Sequence, residues 1–67
     1  MKVVAKQGEK RFLLQINKQK GRIIDLEQKK VFQENNIQSI LLRGYWEEYE
    51  LTEEETMKLL EKNNLKL

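Results

Sequence analysis

The stretch Arg11-Phe12-Leu13-Leu14-Gln15-Ile16-Asn17 decides the fold class of this 67-residue chain. Phe12, Leu14 and Ile16 fall on one side of an extended chain, and polar side chains follow on the other side. This period of two is typical of a half-buried β-strand. The pattern therefore predicts a strand with one face turned towards the core.

The preceding segment has the same alternation. Val3 and Ala5 are two residues apart, so we expect them to share one face of a first strand. Gly8-Glu9 lies between the two apolar segments and has the Gly-X form of a type II′ turn, in which glycine adopts a positive φ angle. The first two strands are therefore predicted to form a tight hairpin.

The segments that follow extend this hairpin into a meander. Residues 18–20 are polar and precede Gly21, which marks a break. The β-branched residues of segment 22–26 suit a third strand, and a short turn at 27–29 would return the chain through 30–32. The first half of the chain is thus predicted to be an antiparallel β-meander.

The segment after this meander admits two interpretations. Either Asn35 or Asn36 can cap a short helix over residues 37–44, with Gly44 as a left-handed C-terminal stop. Alternatively, residues 39–51 form one long strand, because several apolar residues in this segment share a parity. We favour the helix followed by a further strand.

The last element is a helix with a clear start. Thr52-Glu53-Glu54-Glu55 is a capping box, in which the side chains of Thr52 and Glu55 each accept a hydrogen bond from the backbone N–H of the other residue. Asn63-Asn64 would end this helix, and residues 65–67 would be either frayed or a short closing strand.

These elements define the predicted fold. We expect a single α+β domain over residues 1–67, with an antiparallel meander of three to five strands, a short helix, and a C-terminal helix packed on the sheet. A core this small leaves a homodimer possible. The side chains predicted to form the core, apart from those of the first two strands, are Phe32, Ile37, Ile40, Leu41, Met57 and Leu60.

Composition argues against several classes of protein. The chain has no Cys and no His, so it lacks a disulfide framework, the usual zinc ligands and the commonest catalytic base, and we expect no metal and no cofactor. Ser39 is the single serine and has no histidine to activate it, so we expect the protein not to be an enzyme. No apolar run approaches the ~20 residues of a membrane span or the length of a signal sequence. We therefore expect a cytoplasmic protein without a membrane partner.

Charge is unevenly distributed along the chain. Residues 1–31 contain nine Lys or Arg and three Asp or Glu, whereas residues 32–67 contain four and eight. Six glutamates lie within residues 47–55, beside three aromatic side chains. Either the basic strands neutralise these glutamates internally, or the segment docks on a basic partner with aromatic anchors. The residues predicted to bind such a protein partner are Tyr45, Trp46, Glu47, Glu48, Tyr49 and Glu50.

The basic half supports an alternative in which the strands bind nucleic acid. Lysine and arginine on one surface could follow a phosphate backbone, although the same residues are also typical of a solvated sheet that resists aggregation. The residues of this alternative site are Lys10, Arg11, Lys18, Lys20, Arg22, Lys29 and Lys30.

Our first hypothesis is a small regulatory or inhibitory protein that binds another protein. Its acidic surface could imitate a row of phosphates and occupy the binding site of a nucleic-acid-handling enzyme. The small size and the bias towards Lys, Glu, Asn and Gln favour a bacterial or bacteriophage source.

Overall fold

The structure is a computed structural model that describes residues 1–67. It has the predicted α+β architecture, an antiparallel sheet with a short helix and a C-terminal helix. The strands are β1 (Lys2–Gln7), β2 (Arg11–Gln15), β3 (Gly21–Asp25), β4 (Lys30–Glu34) and β5 (Glu47–Glu48), and the helices are α1 (Ile37–Arg43) and α2 (Glu53–Lys62).

The sheet has the strand order β4-β3-β2-β1-β5, and every neighbouring pair is antiparallel. β1 to β4 therefore form the predicted meander. β5 returns to the free side of β1, where Ala5 pairs with Glu48 and Lys6 pairs with Glu47. The two edges of the sheet are consequently β4 and the short strand β5.

The first hairpin differs from the predicted type II′ turn. Gln7 pairs with Arg11, so the connection contains three residues instead of two. Gly8 has a φ of +58°, in the left-handed region that glycine adopts without a Cβ clash. The expected positive φ is present, and the additional residue is Lys10.

β2 is buried on both faces, which corrects the prediction of a half-buried strand. Phe12 and Leu14 pack with Leu60 of α2 on one face of the sheet. Leu13 packs with Ile37 of α1 on the other face. We call these the α2 face and the α1 face. The chain thus folds into three layers, with one helix on each side of a single sheet.

A β-bulge in β1 corrects the prediction that Val3 and Ala5 share a face. Val3 pairs with Leu14 and Ala5 pairs with Leu13, so Val4 is an extra residue on this strand. The bulge shifts the alternation by one position. Val3 lies in the core of the α2 face, and Ala5 lies in the core of the α1 face.

α1 is the predicted short helix, and the alternative of one long strand over 39–51 is wrong. The Asn36 side chain accepts a hydrogen bond from the Ser39 N–H at 3.1 Å and caps the helix. Gly44 ends the helix with extended backbone, φ −90° and ψ 168°, which contradicts the expected left-handed stop. Ile37 is buried and Ile40 is half-buried on the α1 face, as predicted.

Four predicted core side chains are partly exposed, and one of them, Ile16, lies just beyond the end of β2 and is 40% exposed. Leu41 lies beside the buried stripe of α1, Phe32 lies on edge strand β4, and Met57 lies in the middle of α2.

In α2 two side chains are buried, Leu60 as predicted and also Thr56, whose hydroxyl donates to the Thr52 carbonyl at 2.8 Å. A threonine hydroxyl satisfied by its own helix can be buried at low cost, which the apolar pattern does not indicate.

The capping box of α2 is confirmed, with both reciprocal hydrogen bonds between Thr52 and Glu55 present at 3.0 and 3.1 Å. The helix ends at Asn63, as predicted. Asn64 has a φ of 56°, and the Leu65 N–H donates to the Leu60 carbonyl at 2.9 Å. This turn places Leu65 against the α2-face core, so residues 65–67 are not a closing strand.

Candidate protein-binding surface

The predicted acidic and aromatic site lies on the segment that links α1 to α2 along the free side of β1. The Tyr49 N–H donates to the Val4 carbonyl at 3.2 Å, and the Leu51 N–H donates to the Val3 carbonyl at 3.1 Å. The backbone beyond β5 is therefore tied to β1. Alternate side chains point to alternate faces, so the six predicted residues are not all on one surface.

Trp46 is half-buried on the α1 face, where it packs against the core. The guanidinium carbon of Arg11 lies 5.9 Å from the centroid of the indole ring, within range of a cation–π interaction. The indole also forms one wall of a shallow cavity of about 260 Å³ between α1 and the sheet. Much of the Trp46 surface is thus used inside the molecule.

Tyr49 is half-buried on the opposite, α2 face. Its ring centroid lies 6.1 Å from that of Phe12, with the planes tilted by 50°. The Lys6 Nζ lies 4.5 Å from the centroid of the Tyr49 ring. This tyrosine therefore helps to close the core, and a partner can reach only part of it.

Tyr45 is the exposed aromatic residue of the predicted site. Its side chain is 93% exposed, and Leu42, one turn earlier at the end of α1, is 87% exposed. Sequence reasoning missed Leu42, although its position one residue after the apolar stripe of α1 indicates an outward orientation. Two large side chains close to the end of α1 are thus available to a partner.

The glutamates of the site divide into paired and unpaired groups. Glu50 accepts a hydrogen bond from Lys2 Nζ at 2.7 Å, and this interaction lowers the pKa of the Glu50 carboxyl. Glu47 and Glu48 are exposed, and neither takes part in any of the five ion pairs of the molecule. The internal neutralisation considered from the sequence therefore applies to Glu50, and it leaves the two carboxylates of β5 free.

Lys6 lies beside Glu47 in the sheet but is engaged elsewhere. Its Nζ donates to the Glu9 carboxylate at 2.8 Å, and this hydrogen bond raises the pKa of Lys6. The nearest strand lysine thus forms its ion pair with a glutamate of its own hairpin, and the Glu47 charge makes only a smaller contribution to the raised pKa of Lys6.

The basic residues of the alternative site are separated into two groups. The strand directions place Lys10, Arg11, Lys29 and Lys30 at one end of the sheet, with Lys18, Lys20 and Arg22 at the other. Several of them have intramolecular partners: Lys10 pairs with Glu27 at 3.6 Å, and Lys29 donates to Asn63 at 3.2 Å. The structure does not bring the seven residues together on one surface.

Arg11 belongs to a partly buried polar arrangement on the α1 face. Its Nη1 donates to the Gln7 side chain at 3.0 Å, and its Nε lies 3.7 Å from the Asp25 carboxylate, beyond hydrogen-bond distance. Asp25 is buried and accepts a hydrogen bond from the Gln28 N–H at 2.9 Å. With Trp46 on its other side, Arg11 is a structural residue of the sheet.

No cluster of acidic side chains could hold a metal ion. Neither helix is long and apolar enough to cross a membrane. Comparison of the chain with protein-family models, curated proteins and solved structures returns no match.

Proposed function

We propose that this chain is a small, non-catalytic regulatory or inhibitory protein that binds a basic protein surface through its residues 42–48, which we call the edge segment. The observation that carries the proposal is the exposure of Tyr45, at 93%, close to two glutamates with no ion-pair partner. Tyrosine is enriched among the residues that dominate binding energy, since it buries a large area with little loss of side-chain freedom.

The unpaired charges support a basic partner. Glu47 and Glu48 lie on an edge strand, where their side chains point to opposite faces of the sheet, and neither forms an ion pair. A partner with lysine or arginine opposite β5 would pair with these carboxylates and steer association. Nucleic-acid-handling enzymes present such surfaces to phosphates, and we propose an enzyme of this kind as the target.

Site-specific photo-crosslinking can identify the partner. A photoreactive phenylalanine analogue in place of Tyr45, in the full chain expressed in its source organism, should trap one predominant protein. The same analogue in place of Lys66 provides the control, because Lys66 is exposed and lies outside the edge segment.

The affinity of the purified partner then tests the edge segment. We expect Tyr45→Ser to weaken binding by on the order of tenfold or more. Glu47→Gln with Glu48→Gln should slow association and reduce its salt dependence. Glu53→Gln with Glu61→Gln removes the same charge at two exposed glutamates that form no ion pair and lie outside the edge segment, and should leave binding unchanged.

Equal binding by all variants would contradict the proposal. A different result would replace it: salt-sensitive binding of random oligonucleotides that is lost on charge reversal of Lys18, Lys20 and Arg22 would establish the nucleic-acid alternative.

A further inference from the structure

The two edges of the sheet differ in how they are protected. β5 contains two residues, both glutamates, and it pairs with a strand that is interrupted by a bulge. Short length, charge and bulges are the devices that prevent an edge strand from pairing with another chain. The β5 edge is therefore poorly suited to extend the sheet.

β4 carries only one of these protections, the charges of Lys30 and Glu34 at its two ends. It is five residues long, pairs with β3 in a regular register without a bulge, and contains no proline. Because β3 occupies one side of this strand, alternate N–H and C=O groups on the other side have no strand partner. Residues 30–34 thus present a regular template for a further antiparallel strand.

The residues of β4 are complementary to themselves. A two-fold axis normal to the sheet at Phe32 would pair Lys30 with Glu34 of a second copy, twice, and would place the two Phe32 rings side by side. In the structure neither Lys30 nor Glu34 forms an ion pair. Phe32 is 37% exposed, and the second ring would cover it.

The neighbouring registers lack this complementarity. The two-fold axis preserves the faces of the sheet, so only registers centred on a residue are possible. Centring the axis on Val31 places Lys30 opposite Phe32, and centring it on Gln33 places Glu34 opposite Phe32. The register centred on Phe32 is therefore selected by charge and by the aromatic pair.

We propose that two copies of this chain associate through their β4 edges to form a continuous ten-stranded antiparallel sheet. The interface would contain about four to six inter-chain backbone hydrogen bonds, two Lys30–Glu34 ion pairs and the Phe32 pair. An edge contact of this size is below the standard range of stable interfaces, so the dimer forms at high protein concentration. The edge segment, residues 42–48, lies at the opposite edge of the sheet from β4, so the dimer leaves it free for another partner.

Charge variants test the proposal in the full chain. Sedimentation equilibrium of the wild type should show a concentration-dependent increase from 8.1 kDa towards twice that mass. Lys30→Glu alone and Glu34→Lys alone place like charges opposite each other, and we expect each variant to lose the dimer. Circular dichroism establishes that both variants are folded.

Two combinations restore complementarity and supply the decisive controls. The double variant Lys30→Glu with Glu34→Lys should dimerise as the wild type does. An equimolar mixture of the two single variants should form a heterodimer, because each like-charged edge then meets one of opposite sign. Loss of dimer in the singles without recovery in the double variant and the mixture would overturn the register.

Cysteine cross-linking provides an independent measurement, since the chain has no cysteine of its own. In the proposed register the two α-carbons at position 32 are about 4.5–5.5 Å apart, within the range of a disulfide. Phe32→Cys should therefore form a covalent dimer under mild oxidation, and much faster than Gln33→Cys. A monomer at all concentrations, or equal rates for both cysteines, would refute the proposal.

Discussion

Gly44 lies directly against the indole of Trp46. A Cβ atom on Gly44 would stand 2.5 Å from Nε1 of the ring and 2.9 Å from the Ile40 carbonyl oxygen. A side chain at this position would require the indole or the end of α1 to move, so both depend on the same glycine.

We therefore expect Gly44→Ala to displace the indole. The single tryptophan should show a shift of its fluorescence emission to longer wavelength, and the free energy of unfolding should fall by about 1–3 kcal/mol. Leu42→Ala, at an exposed position of the same helix, serves as the control and should change stability by less than about 0.5 kcal/mol. Unchanged emission in Gly44→Ala would contradict the contact.

The second prediction concerns the two-sided core. Leu13 is fully buried on the α1 face, so Leu13→Ala should destabilise the protein by about 2–5 kcal/mol through lost burial and a cavity. Met57→Ala shortens a side chain that is 48% exposed and should cost less than about 1 kcal/mol. Chemical denaturation measures both. A larger effect at Met57 would show that α2 is rotated relative to this structure.

The third prediction concerns the start of α2. Thr52→Ala removes the side-chain acceptor for the Glu55 N–H and should cost about 1 kcal/mol in the free energy of unfolding. Thr52→Ser retains the hydroxyl and is the matched control, so it should remain close to the wild type. Equal losses in the two variants would indicate that the methyl group, and not the cap, is responsible.

The fourth prediction is a dependence of stability on pH. Hydrogen bonds from the backbone and side chain of Thr52 lower the pKa of Glu55 below its ordinary value of 4.5. A carboxyl whose pKa is lowered by folding stabilises the native state above its unfolded pKa, and this contribution disappears as the pH falls through the folded pKa. The stability of the wild type should therefore decrease as the pH falls below about 4.5.

Glu55→Gln should flatten this acid limb, because glutamine still accepts the Thr52 hydrogen bond but does not titrate. Glu53→Gln removes a carboxylate that forms no hydrogen bond in the same turn and is the control. Denaturation at a series of pH values measures the slopes, and an identical acid limb in Glu55→Gln and wild type would be the contrary result.

Local patterns were sufficient to predict most of the architecture. The alternation around Phe12, the turn glycine Gly8 and the capping box at Thr52 each depend on a few neighbouring residues, and the structure has a strand, a hairpin and a helix start at these places, although the turn type and the burial of the strand differ from the prediction. These signals are reliable here because short connections make sequential strands neighbours in the sheet.

The features that sequence reasoning missed depend on distant residues. The bulge at Val4 shifts the alternation of β1, which packs on both faces of the sheet. Phe32 is partly exposed because it lies on edge strand β4. Neither the second helical layer nor the position of β5 beside β1 is encoded in the period of any one segment.

The sequence indicated which residues make up the candidate site, but not which of them are exposed and unpaired. Its six residues alternate between the faces of the sheet, so only Tyr45, Glu47 and Glu48 remain both exposed and unpaired. The partner of Glu50 is Lys2, which is 48 positions away in the chain. A contact between residues so far apart in the chain cannot be predicted from local charge patterns.

The covering of the sheet by both helices has a consequence for the order of assembly. The four meander strands are complete by Glu34, before either covering helix has been synthesised. Until Ile37 and Leu60 have been synthesised and packed, both apolar faces of a nascent meander are exposed to water. We therefore expect its strands to become resistant to hydrogen exchange together with the C-terminal helix, in one concerted step, and fragments that stop short of residue 52 to aggregate.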